Sequence, residues 1–541
     1  MITRSSLRLR GTRPMLATRR GLAPPTSSFS DFQEAAMSES RRYVVLPAYG
    51  FLSPVLARTE MLSKVGPPVT LGVRPGSRRR GSTKAAATMR VLHSTHENGP
   101  KLVEMTPEAE LNMRVANPAL KVVPVVEYQK LSLQHRIARR AATSARRPSE
   151  LAINIVDSST GKPLQGAKII AFTNFEFREG AEATSNRSGV AHLKLKPGVK
   201  LDRLYVYGPP GSWGHYASGV SLRDGETLGL TPIDLQDKGT LLPGFYGKLP
   251  LSAGQDVRVA VIDSGVAQHH PALPNVAGGA NLVFDEINGN VDATTEWGPA
   301  RKDGAHGTHV AGIIGARPTG DAKVRGVAPG VEIRSYRVFP NKGGGATNYD
   351  IMNAIDRAVA DRCDIVNLSL GGGEEDEAVR AAIGSALDHG VLVVAAAGND
   401  GRRSVSFPAA LASCVSVSAM GRRGTFPRHS TEESDVAKPF GVPDKDAFIA
   451  AFSNVGPQID VTGPGVGVVA TVPDDAYAVM SGTSMACPAV VGLAAYLLAS
   501  KQPIMDAKKH ERAKLLQEAL YASCRSQGFG RDFEGFGLPT A

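Results

Sequence analysis

Cysteine is scarce. There are four in 541 residues, Cys363, Cys414, Cys487 and Cys524, and none forms a CxxC pair. That excludes a disulfide framework and argues against structural zinc. Three of the four stand in apolar runs and read as small buried side chains. No charge-free run of some 18 or more apolar residues is read as a membrane span. The first thirty residues hold six Arg but no Lys, no acid and no apolar stretch of the kind a secretory signal needs. Their composition is that of an organellar transit peptide. The favoured reading of residues 1–41 is a disordered leader, or a start placed too early, since Met37 directly precedes the first strand-like run. With no secretory signal seen, a cytoplasmic location is the default expectation, and secretion by another route stays open.

Acid is the other thing missing from the front of the chain. Residues 1–150 hold 25 Lys+Arg against 10 Asp+Glu, a net +15. The remaining residues hold 37 against 41, a net −4, and together these give the +11 of the whole chain. The basic excess peaks in QKLSLQHRIARRAATSARRPSE, residues 129–150, which reads as an exposed linker open to proteases. No aromatic residue is interleaved with its arginines and no recognised binding motif follows, so a nucleic-acid arm is not the expectation.

What is present falls into three patterns. RYVVLPA, MRVLHSTHENGPKLVEMT, PEAELNMRVANPA and LKVVPVVEY read as strand, hairpin, helix and strand, a small α+β domain over residues 42–128. From Leu151 the period becomes two: LAINIVD, AKIIAFT, VAHLKLK and LDRLYVYG, separated by turn clusters, suggest a small all-β sandwich over 151–235. VDSSTGKPLQGAKIIAFT and TSNRSGVAHLKL resemble transthyretin-like or carboxypeptidase-regulatory-like modules. From 236 to 541, continuous apolar runs at Val257–Ile262, Ile333–Phe339, Ile365–Leu370, Leu392–Ala397 and Val415–Ala419 alternate with helical stretches. This is an α/β pattern, a doubly wound, mostly parallel sheet covered on both faces. In such sheets the chemistry sits at the carboxyl ends of the strands.

Four side chains stand at those element ends. Asp263 follows the first strand in RVAVIDSG. His309 stands one turn into the helix of DGAHGTHVAGIIGA, where Gly307, Ala311 and Gly312 permit close packing. Asn399 ends the buried strand of VLVVAAAGND. Ser484 opens the long apolar helix of SGTSMACPAVVGLAAYLLAS, with Pro488 in the first turn, where a missing N–H costs nothing. Each alone has a bland reading: a turn carboxylate, a packed histidine, a turn amide, a helix cap. Together they supply the nucleophile, base, orienting acid and oxyanion donor that acyl transfer to a serine requires.

The order Asp263, His309, Ser484 and the strings VIDSG, HGTHVAG and GTSMACP resemble the subtilisin-like serine peptidases. NLSLGG, AAAGN and SFPA occur in the order expected of that family. The resemblance covers roughly Asp256 to Ala541 and implies a serine endopeptidase. Ser484 would attack the scissile carbonyl, His309 would take its proton, Asp263 would orient the imidazole, and Asn399 with the Ser484 N–H would hold the oxyanion. The resemblance also implies a cleft with Gly343, Gly344 and Gly345 on one edge and Ser369, Leu370 and Gly371 on the other. Ala396, Ala397 and Gly398 would wall the pocket for the residue before the cut, with Ser406 at its base and Pro408 cis. The front domain resembles the inhibitory propeptide of this family, so the expected partners are protein or peptide substrates and the chain's own propeptide. Maturation is expected near Tyr128, within the Arg-rich linker, or after the sandwich. A dedicated processing protease, or an inactive scaffold docking a partner through the sandwich, is the alternative.

No cofactor is needed for that chemistry. Structural calcium is common in the family, but Ala272 stands where an Asp ligand often occurs. Asp285, Asn288, Asn290 and Asp292 in DEINGNVD place oxygens at alternating positions, yet no bidentate acid stands twelfth, so the loop reads as solvated. Arg422 to Phe448 is charged, contains proline, and reads as a surface insertion. Cys487 reads as packing.

Overall fold

The structure is a computed structural model and describes residues 40–47, 88–96, 99–131, 133–140, 150–236, 241–288, 292–299 and 304–541. Residues 1–39, which hold most of the expected leader, lie outside these.

The front α+β domain is a four-stranded antiparallel sheet in the order Met89–Ser94, Lys101–Met105, Arg41–Leu46, Lys121–Pro124. One helix, Pro107–Ala116, covers one face. It begins where the sequence says it should: Thr106 caps it, its hydroxyl accepting from the Ala109 N–H, and Pro107 needs no donor. The period of two in RYVVL divides the sheet between two cores. Tyr43 and Val45 pack under the helix with Met105, Ala109 and Met113, whereas Val44 and Leu46 face the opposite way, into the core of the α/β domain. The domain is therefore docked through its sheet. Polar contacts complete the seat: His93 Nδ1 lies 2.6 Å from the Tyr349 hydroxyl, and Arg42 pairs with Asp285 at 2.8 Å.

The sandwich packs a three-stranded sheet (Val190–Leu193, Leu151–Asp157, Thr227–Leu230) on a five-stranded one. Alternate residues Leu151, Ile153 and Ile155 fill the space between them. The five-stranded sheet runs His215–Ser221, Lys200–Tyr207, Lys168–Asn174, Glu179–Thr184, and ends with Arg139–Arg140 added in parallel at the edge. This corrects the reading of residues 129–150 as a free linker. Residues 133–140 belong to the sandwich and to the cleft described below. Residues 141–149 lie outside the described residues.

The α/β domain is organised on an eight-stranded sheet, in the order Val276–Asn281, Glu332–Arg337, Arg258–Asp263, Ile365–Leu368, Leu392–Ala396, Val415–Arg422, Ala447–Ile449. Val461–Pro464 also pairs with Val415–Arg422, and only Ala447–Ile449 is antiparallel. Alternation again assigns faces. Val259 and Val261 point to the core holding helices Ala305–Gly315 and Thr483–Ser500; Ala260 and Ile262 point to the core holding Asn348–Ala360 and Glu377–Asp388. Helix Thr483–Ser500 is long and apolar enough to cross a membrane, but 83% of it is buried inside the fold, where it is the central core helix.

The insertion Arg422 to Phe448 is not simply surface. Its short helix Thr431–Asp435 carries the buried acids Glu432 and Asp435, and it lies against the sandwich strands Lys200–Tyr207 and His215–Ser221. The Tyr216 N–H donates to His429 O at 2.7 Å. The insertion is where the sandwich sits.

Candidate active site

Asp263 is the last residue of its strand, and its carboxylate is fully buried. Both of its oxygens lie 2.9 Å from Nδ1 of His306, not of His309. A carboxylate only accepts, so Nδ1 carries the proton and Nε2 is left as a base. Nε2 is buried and has no hydrogen-bond partner among the described residues. The approach depends on Gly307, where an added Cβ would stand 2.5 Å from the Gly265 carbonyl oxygen and 3.1 Å from the Asp263 Cβ.

His309 is the correction. One turn deeper in the same helix, its Nε2–H donates to the carbonyls of Val468, at 3.0 Å, and Ala478, at 3.2 Å. Those residues belong to the paired strands Val468–Val472 and Ala476–Met480. Full burial pushes its pKa down to about 3, against the raising effect of those carbonyls. It is a neutral strut with no contact to Asp263.

Ser484 is the second residue of its helix, after Gly482 at φ +153°. Its hydroxyl donates to Ser369 O at 3.0 Å, while the Ser369 hydroxyl donates to Ser484 O at 3.0 Å. Asn399 is oriented by Thr483, which sequence reasoning passed over. Asn399 Oδ1 accepts from both the N–H and the hydroxyl of Thr483, each at 2.9 Å, so the amide must aim its NH₂ outward. That NH₂ donates to the carbonyl oxygen of Leu131. The fully buried Asn454 braces the same loop, its amide reaching Asp400, the Ser404 carbonyl and the Ser406 hydroxyl.

Leu131 is there because the chain's own strand Glu127–Lys130 runs through the cleft. Tyr128 pairs with Ala346 and Glu127 with Thr347 on one edge; Lys130 pairs with Leu370 and Gln129 with Gly371 on the other, both antiparallel. Beyond it, the Leu131 N–H reaches Ser369 O at 3.4 Å and the Leu133 N–H reaches Ser481 O at 3.0 Å. Of the expected glycine edge, only Gly345 touches the strand, its N–H donating to Glu127 at 3.1 Å. The pairing is carried instead by Ala346 and Thr347. Gly343 and Gly344, at φ +85° and +111°, turn the chain before that edge. At the other expected edge Leu370 and Gly371 pair with the strand, and Ser369 O accepts from the Leu131 N–H just beyond it. The Leu131 side chain approaches Gly371, where a Cβ would meet it at 3.0 Å. Ser406 stands beside Gly398 and is tied to the Ala397 carbonyl through its N–H, at 2.8 Å. The walls Ala396 and Ala397 are fully buried. The Phe407–Pro408 bond is cis.

Tyr128 is 1% exposed, with its ring 5.9 Å from that of Phe407 and its hydroxyl donating to Asp376. Burial, and then Asp376, push the phenol well above its ordinary range. Asp376 was not anticipated; its other oxygen caps helix Glu377–Asp388. Cys487 is fully buried, donates weakly to Asn367 and the Val394 carbonyl, and is kept protonated by burial, as packing requires. Asp285 is paired with Arg42. Asn290 and the Asp292 side chain lie outside the described residues, among which no group of three or more His, Cys, Asp or Glu could hold a metal.

Buried carboxylate, imidazole, serine at a helix start and oriented amide, with a peptide carbonyl drawn onto the amide, form an arrangement suited to acyl transfer. Comparison with known proteins agrees. The profile of the Subtilase family matches residues 254–537. Subtilisin NAT of Bacillus subtilis subsp. natto is 36% identical over 254 residues, covering 46% of this chain and 57% of that protein. The subtilisin of Bacillus pumilus is 36% identical over 254 residues, 79% of its length. The minor extracellular protease Epr of Bacillus subtilis is 31% identical over 278 residues, 51% of this chain and 37% of that protein. The chain thus spans little more than half the length of subtilisin NAT, but the matched region contains Asp263, His306, Asn399 and Ser484, and with more than half of its length matched the chain belongs to the subtilase family.

Proposed function

We propose that the chain is a serine endopeptidase made as a self-processing zymogen. The front α+β domain would be its inhibitory propeptide, and the bond after Leu131 the first one cut. The observation that carries this is the Leu131 carbonyl oxygen accepting from Asn399, in a strand held antiparallel by both edges of the cleft. A carbonyl held there is polarised where charge develops on attack.

The Ser484 hydroxyl turns from Ser369 O toward His306 and attacks the Leu131 carbonyl carbon as His306 Nε2 takes its proton. The oxyanion rests on the Asn399 NH₂ and the Ser484 N–H. Asp263 holds the imidazole tautomer and stabilises the imidazolium. Collapse breaks the C–N bond, and Nε2 returns the proton to the amine of Ser132. Water, deprotonated by the same imidazole, then releases the acyl group as a carboxylate and restores Ser484. No cofactor enters any step. Other substrates would be peptides that lie extended in the same cleft, bound chiefly through main-chain hydrogen bonds.

Intact mass and N-terminal sequencing of the full chain test this against Ser484→Ala. The wild type is expected to start at Ser132 and read SLQHR, while Ser484→Ala stays full length. A wild type that remains full length, or is cut first elsewhere, overturns the reading.

A further inference from the structure

From Leu133 to Arg140 the chain lies against the rest of the protein. Main-chain donors alternate along it: the N–H of Leu131 reaches Ser369 O, that of Leu133 reaches Ser481 O at 3.0 Å, and that of His135 reaches the Tyr207 hydroxyl at 3.2 Å. The first two acceptors belong to the peptidase and the third to the sandwich. The contacts of this segment thus pass from the peptidase to the sandwich.

His135 is then enclosed. Its ring meets Phe172, Phe175 and Tyr205 edge-on, with centroids at 6.1, 5.5 and 4.3 Å, and Arg178 lies 3.3 Å from its Nδ1. Guanidinium groups of Arg178 and Arg203 stand 4.2 and 3.7 Å from the Phe175 ring centre. Burial first, and then the charges of Arg178 and Arg203, lower the His135 pKa, so the neutral imidazole packs as an aromatic. Ile137 joins the same cluster, the Ala138 and Arg139 N–H groups both donate to the Arg178 carbonyl, and Arg139–Arg140 pairs with Glu179–Thr184. The sandwich is itself fixed to the peptidase. The Gly211 N–H donates to Tyr477 O at 2.8 Å, and the insertion packs against the sandwich strands Lys200–Tyr207 and His215–Ser221.

The geometry points to the sandwich as a clamp for the residues that follow the cut bond. Its aromatic cage holds the imidazole four residues beyond that bond, and keeps this segment in the leaving-group side of the cleft after the first cut. The inference rests on self-cleavage after Leu131. Cutting that bond breaks none of the contacts named above for residues 133–140, because these are made to the half of the chain that stays with Ser484. The new N-terminal segment then competes with incoming peptides at the high effective concentration of a tethered ligand. A substrate that lies only on the acyl side of the cut has no such competitor.

The test uses the full chain after self-cleavage, its N-terminus verified by mass. Two substrates are compared: the 4-nitroanilide of Tyr-Gln-Lys-Leu, and an internally quenched peptide of residues 128–138. The ratio of kcat/KM, quenched peptide over anilide, is expected to rise roughly tenfold or more in His135→Ala, which empties the cage. Tyr205→Ala should act in the same direction. An equal ratio in wild type and His135→Ala, both starting at Ser132, overturns the clamp while leaving self-cleavage standing. A wild type that never acquires the Ser132 terminus overturns the self-cleavage reading, and the clamp with it.

Discussion

Replacing His306 and His309 separately distinguishes base from strut. A general base must hold a proton during turnover. For His309, whose burial holds its pKa near 3, charging the ring at the pH where an ordinary imidazole titrates costs about 5 kcal/mol. No carboxylate is bonded to it to offset that cost. His306 has Asp263 on Nδ1 and a free Nε2. His306→Ala should therefore reduce kcat by about 10⁶-fold, the size established for subtilisin, a relative of this chain, and should leave the full-length zymogen uncut. His309→Ala removes the donor shared by the Val468 and Ala478 carbonyls and leaves a cavity. Unpaired buried acceptors cost about 1–3 kcal/mol, and the lost packing adds about 2. The apparent Tm should fall by roughly 5–15 °C. Self-cleavage at low temperature, per folded molecule by circular dichroism, should stay within about tenfold of wild type. A folded His309→Ala chain that never cuts itself, beside a His306→Ala chain that does, would refute the assignment.

Asn399→Ala should lower kcat by about 10²–10³, again the subtilisin scale, with KM little changed. Thr483→Val, which removes one of the two donors orienting that amide, should lower kcat by roughly tenfold on the same substrates without a comparable loss of Tm. Tyr128→Phe leaves an Asp376 oxygen buried and unpaired, so the rate of self-cleavage followed by mass should fall about tenfold; in an Asp376→Asn background Tyr128→Phe should cost less. Asp350 is held at about 7 from an ordinary 3.8, first by burial, so its folded-state pKa lies above the unfolded one. Its contribution is complete below about pH 4 and is lost as pH rises to about 7, on the order of 4 kcal/mol. Denaturant melts of the Ser484→Ala chain should show this slope, and Asp350→Asn, which keeps an acceptor for the Phe284 N–H, should flatten it.

Much of the site was legible because it sits where secondary structure ends. The run RVAVID followed by Ser-Gly identifies a strand end, and GTS before an apolar run identifies a helix start, so Asp263 and Ser484 needed no tertiary knowledge. HGTH offers two imidazoles three residues apart in one helix, and residue type does not separate them. Position does. His306 is the second residue of its helix, as Ser484 is of its own, whereas His309 lies a turn deeper among Val310, Ile313 and Ile314. The segment that follows the cleft strand was also written in the chain. Leu131, Leu133, His135 and Ile137 alternate with polar residues, a period of two hidden by the density of arginine.

What was not legible depends on chain segments far apart in sequence. Glu432 and Asp435 look like solvated charge in an Arg422–Phe448 loop, yet both are buried where the sandwich strands arrive from more than two hundred residues earlier. Burial and the neighbouring Glu432 push the Asp435 carboxyl well above its ordinary range, with Arg203 of the sandwich opposing the shift. Arg203 also stacks on Phe175 in the His135 cage. One arginine therefore packs in the clamp and acts through its charge on the seat. A sandwich inserted between the proposed cut and the peptidase would be an encumbrance if it hung free. Fixed by the insertion and, on the proposal above, holding the segment after the cut beside it, the sandwich would be a wall of the cleft, which gives a physical reason for the insertion and the sandwich to occur in the same chain.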